Sequence, residues 1–99
     1  MVKHVIIWSF KEGLSDVEKQ IAATKIKTDI EGLMGQIEGL VDIKIQNVPL
    51  SSSTGDLLLD STFVDEDALK AYQVNPVHVA VATYVRSMVG ARQCFDFEV

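Results

Sequence analysis

The chain has 99 residues, 47% of them hydrophobic and 23% charged, which is enough for one compact domain and too little for two. Its net charge of −5, from 14 acidic and 9 basic side chains with no Lys/Arg cluster, argues against nucleic acid or an anionic membrane as partner. The single Cys94 excludes an internal disulfide, and two distant histidines, His4 and His78, make a poor zinc set, so neither metal nor cofactor is expected.

Val2 to Phe10 is rich in β-branched and aromatic residues and reads as a strand. Val2, His4, Ile6, Trp8 and Phe10 share one face; Val5 and Ile7 point to the other. Apolar residues on both faces mark a central strand covered on both sides. His4 is then either a satisfied core histidine or a pocket residue. This start has no signal-peptide pattern, and no apolar run is long enough to span a bilayer, so a cytoplasmic protein is expected.

Ser15 and Glu18 have the capping-box spacing, and the spacing predicts a helix from Asp16 to about Gln36. Its apolar stripe comprises Ala22, Ala23, Ile26, Ile30, Leu33, Met34 and Ile37, with Gly39 as the left-handed terminator. Val41 to Val48 alternates, Val41, Ile43 and Ile45 against Asp42, Lys44 and Gln46, which predicts a half-exposed strand. A polar loop from Pro49 to Gly55 follows. Asp56 to Val64 is the next strand, with Leu57, Leu59 and Phe63 on one face. Asp60, beside Leu58 on the other, marks a hydrated edge or a subunit contact.

Asp65-Glu66-Asp67 opens a short helix with acids at its positive end. Pro76 lacks an N–H and disfavours helical dihedrals at Asn75, so that helix should stop near Val74. Asn75 then suits the N-cap and Pro76 the first position of a new helix, which runs to about Met88 and ends at Gly90. His78 falls in its first turn, where the helix dipole and any burial both favour a neutral ring, while nearby acids oppose them. Ala91 to Val99 is the last strand, with Phe95, Phe97 and Val99 on one face and Arg92, Cys94, Asp96 and Glu98 on the other. Cys94 reads as a small buried hydrophobe.

The order β-α-β-β-α-β is the ferredoxin-like pattern, α+β with an antiparallel sheet and its helices on one face. The second face also carries Val5, Ile7 and Leu58. A homodimer that packs two sheets face to face would cover it.

Several segments in order are similar to those of the stress-responsive A/B barrel domain family of dimeric α+β barrels. They are Lys3-His4-Val5-Ile6-Ile7-Trp8-Ser9-Phe10-Lys11, Ile37-Glu38-Gly39-Leu40, Ser61-Thr62-Phe63-Val64-Asp65, Tyr72-Gln73-Val74-Asn75-Pro76-Val77-His78 and Asp96-Phe97-Glu98. The resemblance spans nearly the whole chain, residues 1–99, and implies one such domain acting as a homodimer. In a plant polyketide cyclase of this family, the matching residues make His78 a general base, Tyr72 its orienter or hydrogen-bond donor, and His4 a third polar group. The chain departs from that pattern in having Asn75 before the proline and Leu57 where the cyclase has a histidine.

Two functional readings follow. One is a dimeric module binding a small apolar molecule in a pocket lined by His4, Trp8, Leu57, Tyr72 and His78. The other is a cofactor-independent enzyme, either a polyketide-cyclase-like proton-transfer catalyst or, by likeness to a related dimeric barrel family, a monooxygenase.

Overall fold

The computed structural model describes residues 1–99. It comprises β1 (Val2–Phe10), α1 (Asp16–Glu31), β2 (Leu40–Gln46), β3 (Leu57–Phe63), α2 (Glu66–Val74), α3 (Pro76–Met88) and β4 (Val89–Glu98). The strands form one antiparallel sheet in the order β2-β3-β1-β4. This is the ferredoxin-like βαββαβ arrangement, its second helical position divided into α2 and α3 at Asn75-Pro76.

Alternation along β1 sorts its side chains as expected. Val2, His4, Ile6 and Trp8 are buried under the helices, whereas Ile7 is exposed on the opposite face. Leu57, Leu59, Ser61 and Phe63 of β3 continue the covered face, and Ile26, Ile30, Leu33, Leu69, Tyr72 and Val85 close the core over it. Each fully buried aliphatic side chain of this kind contributes roughly 1.5–3 kcal/mol.

Local chemistry sets the helix starts. The Ser15 side chain accepts from the Glu18 N–H at 3.1 Å, and Glu18 accepts from the Ser15 N–H at 3.1 Å. Asp65 caps α2 by accepting from Ala68 N–H, and Asn75 caps α3 by accepting from Val77 N–H. The outer edge of β2 is sealed by α1. Glu31 accepts from the Ile45 N–H at 2.9 Å, and Lys27 Nζ donates to the Ile45 carbonyl at 2.8 Å. Both groups would otherwise lie open on an edge strand.

Five expectations are corrected. Helix α1 ends at Glu31 rather than near Gln36. Leu33 and Ile37 stay buried, but they are carried by successive turns, and Met34 is exposed. Gly35 and Gly39 both adopt positive φ, +84° and +83°, which no helix accommodates. Strand β2 starts at Leu40 and stops at Gln46, leaving Val48 exposed. A register shift between Leu40 and Asp42 puts Leu40 in the core and turns Val41 outward. Asp60 marks no edge, because β3 lies inside the sheet; its carboxylate pairs with Lys3 Nζ at 2.6 Å. Gly90 does not end α3: Val89 is its C-cap and already begins β4. Finally, Cys94 is exposed rather than buried, because β4 is an edge strand that the helices do not reach across.

Candidate functional site

A cavity of about 180 Å³ lies between the covered face of the sheet and helices α2 and α3. Strand β1 contributes His4, Ile6 and Trp8; the helices contribute Tyr72, His78 and Val85 among others. Of the five residues expected to line a pocket here, His4, Trp8, Tyr72 and His78 do meet at one cavity. Leu57 does not. It pairs with Trp8 across the ladder but borders a separate, wider groove of about 460 Å³ along the 47–56 loop, and Leu59 lines the cavity instead. That groove contains one acid, Asp56, which already accepts from the Phe10 N–H at 2.8 Å.

Tyr72 and His78 are brought together by the helix break. Their rings are stacked with centroids 3.9 Å apart and planes 31° from parallel. Tyr72 is held from below by Phe63, with centroids 4.8 Å apart, and meets the His4 ring edge-on at 6.3 Å. Burial raises the Tyr72 hydroxyl well above the ordinary phenol range. At neutral pH it is therefore a hydrogen-bond donor and not a phenolate.

His78 is half-buried, and its Nδ1 is fully enclosed with no hydrogen-bond partner. Its pKa is lowered, first by burial and then by the His4 and Arg86 charges, while backbone groups of Gln73 and Tyr72 push it up. Desolvation thus outweighs the local polar contacts, and the ring is neutral at pH 7 with a lone pair available as a proton acceptor.

His4 is almost fully buried and stands opposite Asp96 in the β1–β4 ladder. Asp96 engages its Nδ1 directly. A carboxylate acceptor at Nδ1 fixes a ring proton on that nitrogen and sets the orientation of the imidazole. Cys94 Sγ lies 3.4 Å from the same Asp96 oxygen and 3.7 Å from His4 Nδ1. Three donor atoms of the types that bind zinc therefore lie within 4.8 Å of one another. Although Cys94 is exposed, partial desolvation of its sulfur, followed by the hydrogen bond and charge of Asp96, raises the thiol, so it is a neutral thiol and a poor nucleophile.

Sequence reasoning missed three residues at this site. Asp96 reaches His4 only through strand register. Arg86 and Arg92 border the cavity from α3 and β4 and make no ion pair, while no carboxylate is among the lining residues. A chain with net negative charge thus has a cavity whose only fixed charges are positive.

Comparison with known proteins agrees with this architecture. The family model described as stress responsive A/B barrel domain matches residues 2–99. A dimeric protein of unknown function with a ferredoxin-like fold from Bacteroides fragilis is 26% identical, with a TM-score of 0.92 covering 99% of this chain and 95% of that one. A protein from Arabidopsis thaliana is 24% identical, with a TM-score of 0.79 covering 100% and 95%. A hydroxynitrile lyase from Passiflora edulis has a TM-score of 0.80 at 14% identity, covering 99% and 92%. At such identity the last two likenesses are of fold alone. No curated protein matches.

Proposed function

We propose that this chain, which belongs to the stress responsive A/B barrel domain family, works as a homodimer that binds a small apolar molecule in the cavity between sheet and helices. The observation that carries this reading is the convergence of His4, Trp8, Tyr72 and His78, from three different elements, on one cavity. The cavity is large enough for a compact ligand: an apolar cavity of roughly 150 Å³ admits benzene. The dimer is supported by the Bacteroides fragilis relative and by the uncovered sheet face of this chain, where Ile7, Phe95 and Phe97 are exposed. No helix is long and apolar enough to cross a membrane.

A second reading has its own observation, the stack of Tyr72 and His78 at the cavity, with burial holding the imidazole neutral. A neutral imidazole beside a protonated phenol is the equipment of cofactor-independent proton transfer: His78 removes a proton beside a carbonyl, and the Tyr72 hydroxyl donates to the developing enolate oxygen. The two rings meet through their faces, so Tyr72 orients His78 by stacking while its hydroxyl remains available to a ligand.

One experiment separates these readings. Ligand-detected NMR on the purified chain, using a library of small apolar carbonyl compounds in deuterated buffer, reports binding and α-proton exchange together. Binding without exchange supports the module. Exchange that disappears in His78→Ala supports the catalyst. Absence of both removes the cavity as a functional site.

A further inference from the structure

We infer that the cavity selects small carboxylic acids, with Arg86 and Arg92 receiving the carboxylate and the apolar interior receiving a body about the size of one six-membered ring. This rests on the binding reading above and specifies the ligand it would take.

The argument begins with charge. Acidic side chains outnumber basic ones by 14 to 9 in the chain, yet none of them lines the cavity. Arg86, near the end of α3, and Arg92, on β4, both border it. The chain's five ion pairs involve Lys3, His4, Lys25, Lys27 and Lys70, and neither arginine. Guanidinium is planar, permanently charged and shaped to hold a carboxylate through two parallel hydrogen bonds. Both arginines are solvent-exposed where they border the cavity, so they meet an incoming anion in water and hold it beside apolar walls.

The interior sets the remainder of the ligand. Trp8, Ile6, Leu59 and Val85 are apolar and buried, so the part of the molecule beyond the carboxylate must be apolar too. The volume of about 180 Å³ fits one ring and leaves no room for a fused system of several rings or a nucleotide.

Trp8 is the chain's only tryptophan and lines the cavity, so its fluorescence is a probe of occupancy. The full-length chain is titrated at pH 7 with cyclohexanecarboxylate and, separately, with the uncharged cyclohexanecarboxamide of nearly equal shape. Saturation-transfer NMR repeats both titrations, so that an optically silent complex is still detected. The acid should bind about tenfold more tightly or better, with the margin shrinking as salt rises. In the double variant Arg86→Gln/Arg92→Gln, checked for an unchanged thermal melt, the acid should fall to the affinity of the amide, and the amide should be unaffected. Equal binding of acid and amide by the natural chain overturns the carboxylate assignment and leaves the apolar binding site standing. So does an acid preference that survives in the double variant. If neither compound binds by either method, both the assignment and the binding reading fall.

Discussion

Asp96 lies directly across the β1–β4 ladder from His4, and the two side chains meet on the covered face of the sheet. The pair joins a nearly fully buried imidazole to a carboxylate that is still partly in solvent. Replacing Asp96 with Leu leaves the His4 Nδ1–H without its acceptor. The expected cost is about 1–3 kcal/mol of stability, read from urea denaturation, because a buried donor stripped of its partner loses its hydration without compensation. A change of under about 0.3 kcal/mol would show that water replaces the carboxylate and that His4 does not depend on it.

His78 should make stability depend on pH in a defined direction. Burial holds its pKa in the folded chain below the ordinary value of about 6.5. As pH falls through about 6.5, the unfolded chain therefore takes up a proton before the folded one does. The contribution of His78 to stability is complete above that value and is lost as pH falls toward the folded-state pKa. The melting temperature of the natural chain should thus drop more steeply between about pH 7 and 5 than that of His78→Gln. Parallel melting curves would show that the ring titrates as it does in a free peptide.

Two glycines with nearly equal positive φ separate strain from crowding. Gly13 and Gly39 have φ of +90° and +83°. A Cβ at Gly13 would meet nothing within 4 Å, whereas one at Gly39 would come within 2.5 Å of Ala68 Cβ on α2. Gly13→Ala should cost about 1–2 kcal/mol for the left-handed conformation alone. Gly39→Ala should cost that plus about 1–3 kcal/mol for overpacking. Equal losses in chemical denaturation would mean that α2 moves aside freely.

The exposed face of the sheet predicts the assembly. Ile7, Phe95 and Phe97 lie on the side away from the helices, with the two phenylalanine rings 5.9 Å apart. Phe95→Asp combined with Ile7→Lys should turn a dimer at micromolar concentration into a folded monomer in sedimentation velocity. A natural chain that already sediments as a monomer, or a double variant that stays dimeric, would place any interface elsewhere.

The legible parts of this sequence were those governed by neighbours in the chain. The Ser15–Glu18 box, the Asn75-Pro76 break and the alternation of β1 each depend on residues within a few positions of one another, and each is found in the structure. The end of α1 was misread for a physical reason. Leu33 and Ile37 continue the helical stripe because tight turns at this spacing face the same core, so periodicity alone does not distinguish them. Gly32 and Gly35 held the better signal, since each weakens a helix by about 1 kcal/mol. Contacts made through register, such as His4 with Asp96, are 92 positions apart and leave no local trace. The same is true of Arg86 and Arg92, which reach one cavity because α3 reverses into β4 at Val89.

The joint at Asn75-Pro76 determines how this site tolerates changes in chain length. Positions six apart in one unbroken helix are separated by about 240° of rotation, so Tyr72 and His78 would point away from each other. The joint replaces that rotation with a fold of one short helix against the next, and the stack depends on its length. One residue added within α3 before His78 would turn the imidazole about 100° around the helix axis and carry it out of the cavity. A residue added after Arg86, near the end of α3, would leave the stack intact. Insertions are thus graded by which side of His78 they fall on, and the short stretch from Tyr72 to His78 acts as a ruler whose length cannot vary.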